Sequence, residues 1–214
     1  MADAALPAVP PLYLARLHAL LQGGQRKLLG LAGPPGAGKS TLATALQHAF
    51  ADVSQVVPMD GFHLANAQLQ RLGRRQRKGA PDTFDSAGYA ALLRRLRQQR
   101  ADETVYAPEF HREIEEPVAG AIAVAAQTRL IITEGNYLLL DEGPWAQVAG
   151  LLDEVWYVEL DDALRIERLT QRHHRFGRSR EDAAAWVSGT DEPNARLIAR
   201  TRGRAHAVFR WEAA

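Results

Sequence analysis

The sequence predicts an α/β fold: a five-stranded parallel sheet flanked by helices, of the phosphate-loop (P-loop) NTPase type, with a mobile lid. Three observations predict it. Residues 33–41 read GPPGAGKST, the spacing G-x-x-x-x-G-K-[ST] in which glycines let the backbone curl and aim successive amides at phosphate oxygens. KLLGLA (27–32) precedes the loop as a buried strand and TLATALQHAF follows it as a helix, the setting the motif requires. Further apolar runs at 53–58, 129–140, 153–160 and 205–211 alternate with helical segments, the order that builds a parallel sheet with helical crossovers.

Composition bounds the rest. At 214 residues the chain suffices for one full α/β domain over 1–214 and hardly for two equal ones. Apolar residues make up 46% and charged residues 24%, ordinary for a soluble globular protein. The net charge of +1 provides no global field for nucleic acid or an anionic membrane. The absence of cysteine excludes disulfides, thiolate zinc sites and cysteine nucleophiles. The N-terminal stretch lacks a basic start and is broken by Asp3, prolines and Arg16, so it does not read as a signal peptide. No run approaches the ~20 apolar residues of a membrane span. A cytoplasmic protein with neither nucleic acid nor membrane as partner is expected; oligomeric state is not legible.

In chain order, residues 1–11 read as a flexible, Pro-rich arm. Tyr13, Leu17, Leu20 and Leu21 fall on one helix face, which Gly23 and Gly24 end. In the phosphate loop, Gly33, Pro34, Pro35, Gly36, Ala37, Gly38, Lys39, Ser40 and Thr41 are the expected nucleotide-binding residues. Lys39 would reach the outer phosphates and the Ser40 hydroxyl a magnesium ion, with the helix N-terminus adding positive potential. VSQVVP (53–58) is the second strand and delivers MDGFHL. Ligands of parallel sheets bind at that carboxyl end, so Asp60 arrives where chemistry occurs; a helix cap or turn residue is the equal alternative.

Five of the eight residues 71–78 are basic, either a solvated face or a surface for phosphate or an anionic substrate. Asp85-Ser-Ala-Gly88 matches a GTPase D-x-x-G by letter, but no apolar strand precedes it and no N-K-x-D occurs. It reads as the cap of an Arg-rich helix over 87–100. VYAPEFHREIEEPV (105–118) reads as irregular extended structure over a pocket, with His111 a loop histidine. RLIITEGNYLLL holds the third buried strand, with Glu134 at its end as an acid for Mg²⁺. DEVWYVEL is the fourth strand, and Asp161 or Asp162 caps the next helix. Arg172, Arg175, Arg178 and Arg180 surround Gly177, the pattern of a basic flap over 172–180 with a glycine pivot. His173 and His174 are adjacent and cannot face one ion from a helix. A last helix over 193–202 and the strand AHAVFRW complete the chain.

Taken together, GPPGAGKST, MDGFHL, KGAPDTFD, LIITEGNYLLL, RHHRFGR and EPNARLI resemble the uridine kinase, phosphoribulokinase and pantothenate kinase superfamily over about residues 27–210. The nearest likeness is to small bacterial members described as nucleoside/nucleotide kinase-like or fructose-transport-system kinases. The resemblance implies ATP and Mg²⁺ as cofactors and γ-phosphate transfer to a hydroxyl of a sugar, nucleoside or pantothenate-like metabolite. It makes Asp60 the catalytic base and Lys39 its catalytic partner, with Ser40, Asp60 and Glu134 at the metal. Arg172 and Arg178 would close on the nucleotide. A substrate-binding insertion over 60–118 would offer Asp60, Phe62, His63, Lys78, Tyr106, Phe110 and Arg112, with Glu134 alongside. KGAPDTFD is similar to a pantothenate kinase stretch that has Tyr where Phe84 stands. At Phe110-His111 the chain departs from the Tyr-Asp pair usual in uridine and pantothenate kinases, which leaves the acceptor open. The alternatives are a regulatory or motor-type NTPase without an acceptor, a nucleic-acid module using 71–78 and 94–100, and a nucleotide-binding scaffold without activity. The balanced charge and the lack of interleaved aromatics argue against the second.

Overall fold

The computed structural model describes residues 6–211. Helix α1 (Pro11–Leu21) leads into strand β1 (Lys27–Ala32) and, past the phosphate loop, helix α2 (Lys39–Ala49). Strand β2 (Ser54–Val56) is followed by a 3₁₀ turn at Met59–Phe62, then α3 (Asn66–Arg71) and α4 (Ser86–Arg97). Strands β3 (Val105–His111) and β4 (Glu116–Val124) precede β5 (Leu130–Gly135) and β6 (Glu154–Glu159). Helices α5 (Asp162–Arg175), α6 (Arg180–Trp186) and α7 (Glu192–Ala199) lead to the last strand, β7 (Ala207–Arg210). The main sheet has five parallel strands in the order β2-β5-β1-β6-β7. Both the sheet and its strand count agree with the sequence reading.

Side chains alternate across this sheet with period two. Leu29, Leu31, Leu130, Ile132, Trp156 and Val158 pack against Leu17 and Leu21 of α1 and Leu42 and Leu46 of α2. Leu28, Ile131, Val155 and Tyr157 face the opposite core, with Tyr89, Leu93 and Leu96 of α4, Val105 and Val124. The strands are apolar on both faces because helices or a hairpin cover both.

The strand order positions the site. β1 lies between β5 and β6, and the phosphate loop leaves its carboxyl end next to Glu134 of β5. The chain leaving β2 is pinned to β5: Val57 N–H donates to the Ile132 carbonyl at 2.9 Å. The Thr133 hydroxyl donates to the Val57 carbonyl at 2.6 Å. With that proton committed, the Tyr89 hydroxyl donates to Thr133 Oγ1, also at 2.6 Å. Asp60 is thereby held beside Glu134, two strands from the edge of the cradle.

Several expectations need correction. Residues 105–118 are not irregular: β3 and β4 form an antiparallel hairpin with a bulge between Ala107 and Glu109. Pro108 lies at the bulge, where a missing N–H costs no ladder bond. The expected loose arm is packed only in part: Val9 and Pro10 are buried, while Leu6, Pro7 and Ala8 are exposed, the last two on the main cleft. Residues 1–5 of that arm lie outside the described residues. The second strand is only three residues long. The last helix starts at Glu192 and ends at Ala199, a 3₁₀ turn following at Arg202–Arg204. The capping expectations hold: Asp85 accepts from Gly88 N at 2.8 Å, and Asp161, not Asp162, caps α5 through Ala163 N and Leu164 N at 3.0 and 3.2 Å.

The turn bearing Asp60 touches the hairpin bulge so closely that a Cβ on Gly61 would lie 2.2 Å from the Pro108 carbonyl oxygen. Gly61→Ala is therefore expected to cost about 1–3 kcal/mol by overpacking and to displace Asp60. Denaturant unfolding with parallel activity measurements checks this; unchanged values in both would show that the contact yields freely.

Candidate active site

The phosphate loop takes its shape from two glycines with positive φ, Gly36 at 83° and Gly38 at 90°. At Gly36 an added Cβ would meet Leu169 Cγ at 2.8 Å and the Arg165 carbonyl at 3.0 Å, so the position needs glycine twice over. Lys39 folds back into the loop. Its ammonium donates to the carbonyls of Gly33 (2.9 Å) and Pro34 (3.0 Å) and to Asn136 Oδ1 (2.8 Å). Burial pushes the Lys39 ammonium down to about 8, against the opposing pull of Glu134 and Asp60. The Ser40 hydroxyl donates to Glu134 Oε1 at 2.9 Å. Glu134 is buried, and its carboxyl is raised, first by desolvation and then by the negative charge of Asp60. Lys39 and Ser40 pull it the other way without prevailing.

These groups line a cleft of about 1440 Å³. Of the loop residues, Pro35, Gly36, Gly38, Lys39, Ser40 and Thr41 reach its wall. Gly33 and Pro34 serve instead as carbonyl acceptors for Lys39, and Ala37 is buried beneath the loop. Of the residues expected at the acceptor and the metal, Asp60, His63, Lys78, Phe110, Arg112 and Glu134 line the cleft. The Arg112 guanidinium lies 3.5 Å from the Asp60 carboxylate. His63 accepts or donates at the Asp60 carbonyl, Nδ1 to O 2.8 Å, and burial lowers its pKa. Its ring packs between Phe84 and Phe110, tilted by 41° and 40°, with centroids 4.0 and 4.6 Å away.

Two expected substrate residues do not join them. Phe62 turns inward onto Tyr89, 5.3 Å between centroids, because the 3₁₀ turn points its side chain at the α4 core. Tyr106 is 59% exposed on the outer side of the hairpin, opposite in strand alternation to Val105 and Ala107. His111 lies on β3, 3.6 Å from Glu109, and not in a loop.

Arg172 and Arg178 both line the cleft, but the basic stretch is not one flap. Helix α5 continues through Arg172 to Arg175, anchored by buried Leu169, and only 176–179 are loop, with Gly177 at φ 98°. Arg172 is half-buried; desolvation and the nearby Arg112 lower its pKa. Arg178 stacks over the Trp186 ring at 4.0 Å. The two histidines diverge: His173 Nε2 pairs with Asp191 Oδ2 at 2.8 Å, and His174 Nδ1 lies 2.9 Å from the Arg178 carbonyl.

Sequence reasoning missed Asn136 and Arg165. Asn136 follows Glu134 by two residues, and that proximity was the available signal. Arg165 is fully buried, paired with Asp162 at 2.9 Å and with Glu192, and reaches the Pro35 carbonyl at 3.5 Å. An arginine on an amphipathic helix reads as solvated, so nothing in the sequence marked it.

Fold and site together define a P-loop kinase. The chain belongs to the phosphoribulokinase/uridine kinase family, whose model matches residues 28–212. It is similar to a Schizosaccharomyces pombe protein provisionally named a uridine kinase, 37% identical over 72% of this chain and 69% of the other. The YggC protein of Escherichia coli is 35% identical over 88% of this chain and 79% of its own. Among solved structures, a Silicibacter protein provisionally described as a fructose transport system kinase superposes with a TM-score of 0.80 at 38% identity, covering 90% of this chain and 98% of that one. No helix among the described residues is long and apolar enough to cross a membrane.

The buried ammonium has a measurable signature. A Lys39 pKa of about 8 in the fold, against 10.5 for the free side chain, means the unfolded chain binds more protons between those values. This group's penalty is complete below pH 8 and is relieved as pH rises to 10.5, on the order of 3 kcal/mol in all. Lys39→Met is expected to leave the ligand-free protein at least as stable at pH 7 and to flatten the difference from wild type above pH 8. Denaturant titrations at a series of pH values check this; parallel curves for the two proteins would count against it.

Proposed function

We propose that this kinase transfers the γ-phosphate of ATP to a hydroxyl of a small metabolite, of the sugar, nucleoside or pantothenate-like kind. The observation that carries the reading is the convergence on one cleft of the buried Lys39 ammonium and the Glu134 and Asp60 carboxylates. Phosphoryl transfer demands little covalent chemistry from a protein; it demands alignment and neutralised charge. In this reading the loop amides and Lys39 hold the triphosphate, and Arg172 and Arg178 add positive charge from the other wall.

The residues present fit a magnesium ion. Ser40, Asp60 and Glu134 supply hard oxygen donors, and the burial and Asp60 charge that raise the Glu134 carboxyl are what a dication would offset. These three would hold it, and bound with the triphosphate it would neutralise charge on the phosphoryl oxygens. Among the described residues Asp60 caps no helix, and its side chain meets only the loosely placed Arg112. It is thus free to accept the proton of an acceptor hydroxyl, a step typically worth about 10²–10⁴-fold. Residues 60–118 would form the acceptor side. The loop 176–179 would close about Gly177, releasing Arg178 from Trp186 and excluding water, while Arg172 stays on α5.

The reading is tested by ADP release across a metabolite panel: near zero without acceptor and rising with the right alcohol. Steady hydrolysis indifferent to every added alcohol would favour a motor-type or regulatory NTPase. Asp60→Asn should retain ATP binding and lose about 10²–10⁴-fold in turnover; an unaffected rate removes Asp60 as base. Arg178→Ala should raise the KM for ATP or lower kcat about tenfold or more, and wild-type kinetics would rule out its part in closure.

A further inference from the structure

The basic run at 71–78 is sorted by the fold into two groups. Arg74 and Arg77 are both spent on Asp82, at 3.4 and 2.5 Å, and Arg71 is exposed off the cleft wall. Arg75 and Lys78 instead line the cleft. The Arg75 guanidinium has no hydrogen bond or ion pair among the described residues. Lys78 is 8% exposed, yet its ammonium meets only neutral acceptors, Asn66 Oδ1 at 2.7 Å and the Glu115 carbonyl. A buried cation held by dipoles alone is costly unless an anion completes its shell. The carboxylates facing this end are Asp60, which meets Arg112, and Glu115, exposed at the hairpin turn; Glu116 is occupied by the Asn66 N–H at 2.9 Å. Glu116 and Glu115 act on Lys78 from a distance, but among the described residues no carboxylate forms an ion pair with Lys78 or Arg75.

The space between this end and Asp60 is also specified. The Lys78 ammonium sits 5.0 Å over the Phe110 ring, Phe110 packs tilted against His63, and His63 contacts the Asp60 carbonyl. The wall therefore runs from carboxylate to rings to cations. We propose that the acceptor carries an oxyanion, a carboxylate or a phosphate monoester, distinct from the hydroxyl that is phosphorylated, and that Arg75 and Lys78 receive it. An uncharged spacer lies along His63 and Phe110 and places the hydroxyl at Asp60. This assignment rests on the kinase reading for its orientation, but the anion site is measurable by binding alone.

The test is calorimetry on the full chain, with the nucleotide site filled by a non-hydrolysable ATP analogue and magnesium so that probes do not occupy the phosphate loop. Charged probes are matched with neutral ones: pantothenate with pantothenol, and ribose 5-phosphate with ribose. In at least one pair the charged member is expected to bind tenfold or more tightly, and which pair does so separates carboxylate from phosphate. Arg75→Gln should reduce that preference to within about twofold, and Arg75→Lys should restore part of it. Arg77→Gln, off the cleft, should leave it intact. No charged member binding more tightly than its partner, or a preference untouched by Arg75→Gln, overturns the proposal. A preference that persists while no acceptor ever releases ADP supports the anion site and overturns the kinase reading instead.

Discussion

The buried ammonium of Lys39 is the constraint on which the rest of the site depends. It is held by two carbonyls of its own loop and by Asn136, with no carboxylate in hydrogen-bond contact. Three neutral dipoles orient it and do not neutralise it, so the fold keeps a charge where charge is disfavoured. Glu134 is strained in the opposite sense, a carboxylate raised by burial and by Asp60. Stability is spent at both groups, and a triphosphate with its cation would relieve both together. Active sites are where such tension is expected to concentrate.

The sheet makes this tension possible. Placing β1 between β5 and β6 brings the phosphate loop beside the end of β5. The Tyr89–Thr133–Val57 chain of hydrogen bonds then fixes the segment carrying Asp60 from the adjoining strand. Each member of that chain is buried in the core shared with α4. Asp60 and Glu134 are therefore positioned by strand pairing and packing and not by contacts with each other, whose charges repel.

Most of this was legible in the residues. The five strands were readable because buried parallel strands are near-continuous apolar runs, and the loop because its glycines and lysine occur at fixed spacing. Asp60 and Glu134 were readable because both terminate such runs. The hairpin at 105–124 was not, since Pro108 argues against a strand unless a bulge is foreseen, and a bulge depends on a partner strand distant in sequence. Phe62 and Tyr106 failed for a related reason: which face an aromatic takes is set by the packing of α4 and the hairpin, not by its own identity. Arg165 was invisible because its burial depends on Glu192, far along the chain.

The contact between Gly36 and helix α5 has a mechanical consequence. The loop backbone rests against Leu169 and the Arg165 carbonyl with no room for a methyl group, and Arg165 is riveted to Asp162 and Glu192. The near half of that helix is therefore wedged against the phosphate loop, and the same helix carries Arg172 to the cleft wall. In the proposed kinase, a loop that moved on taking up phosphates would press on Leu169 and Arg165 and so on the element that bears Arg172.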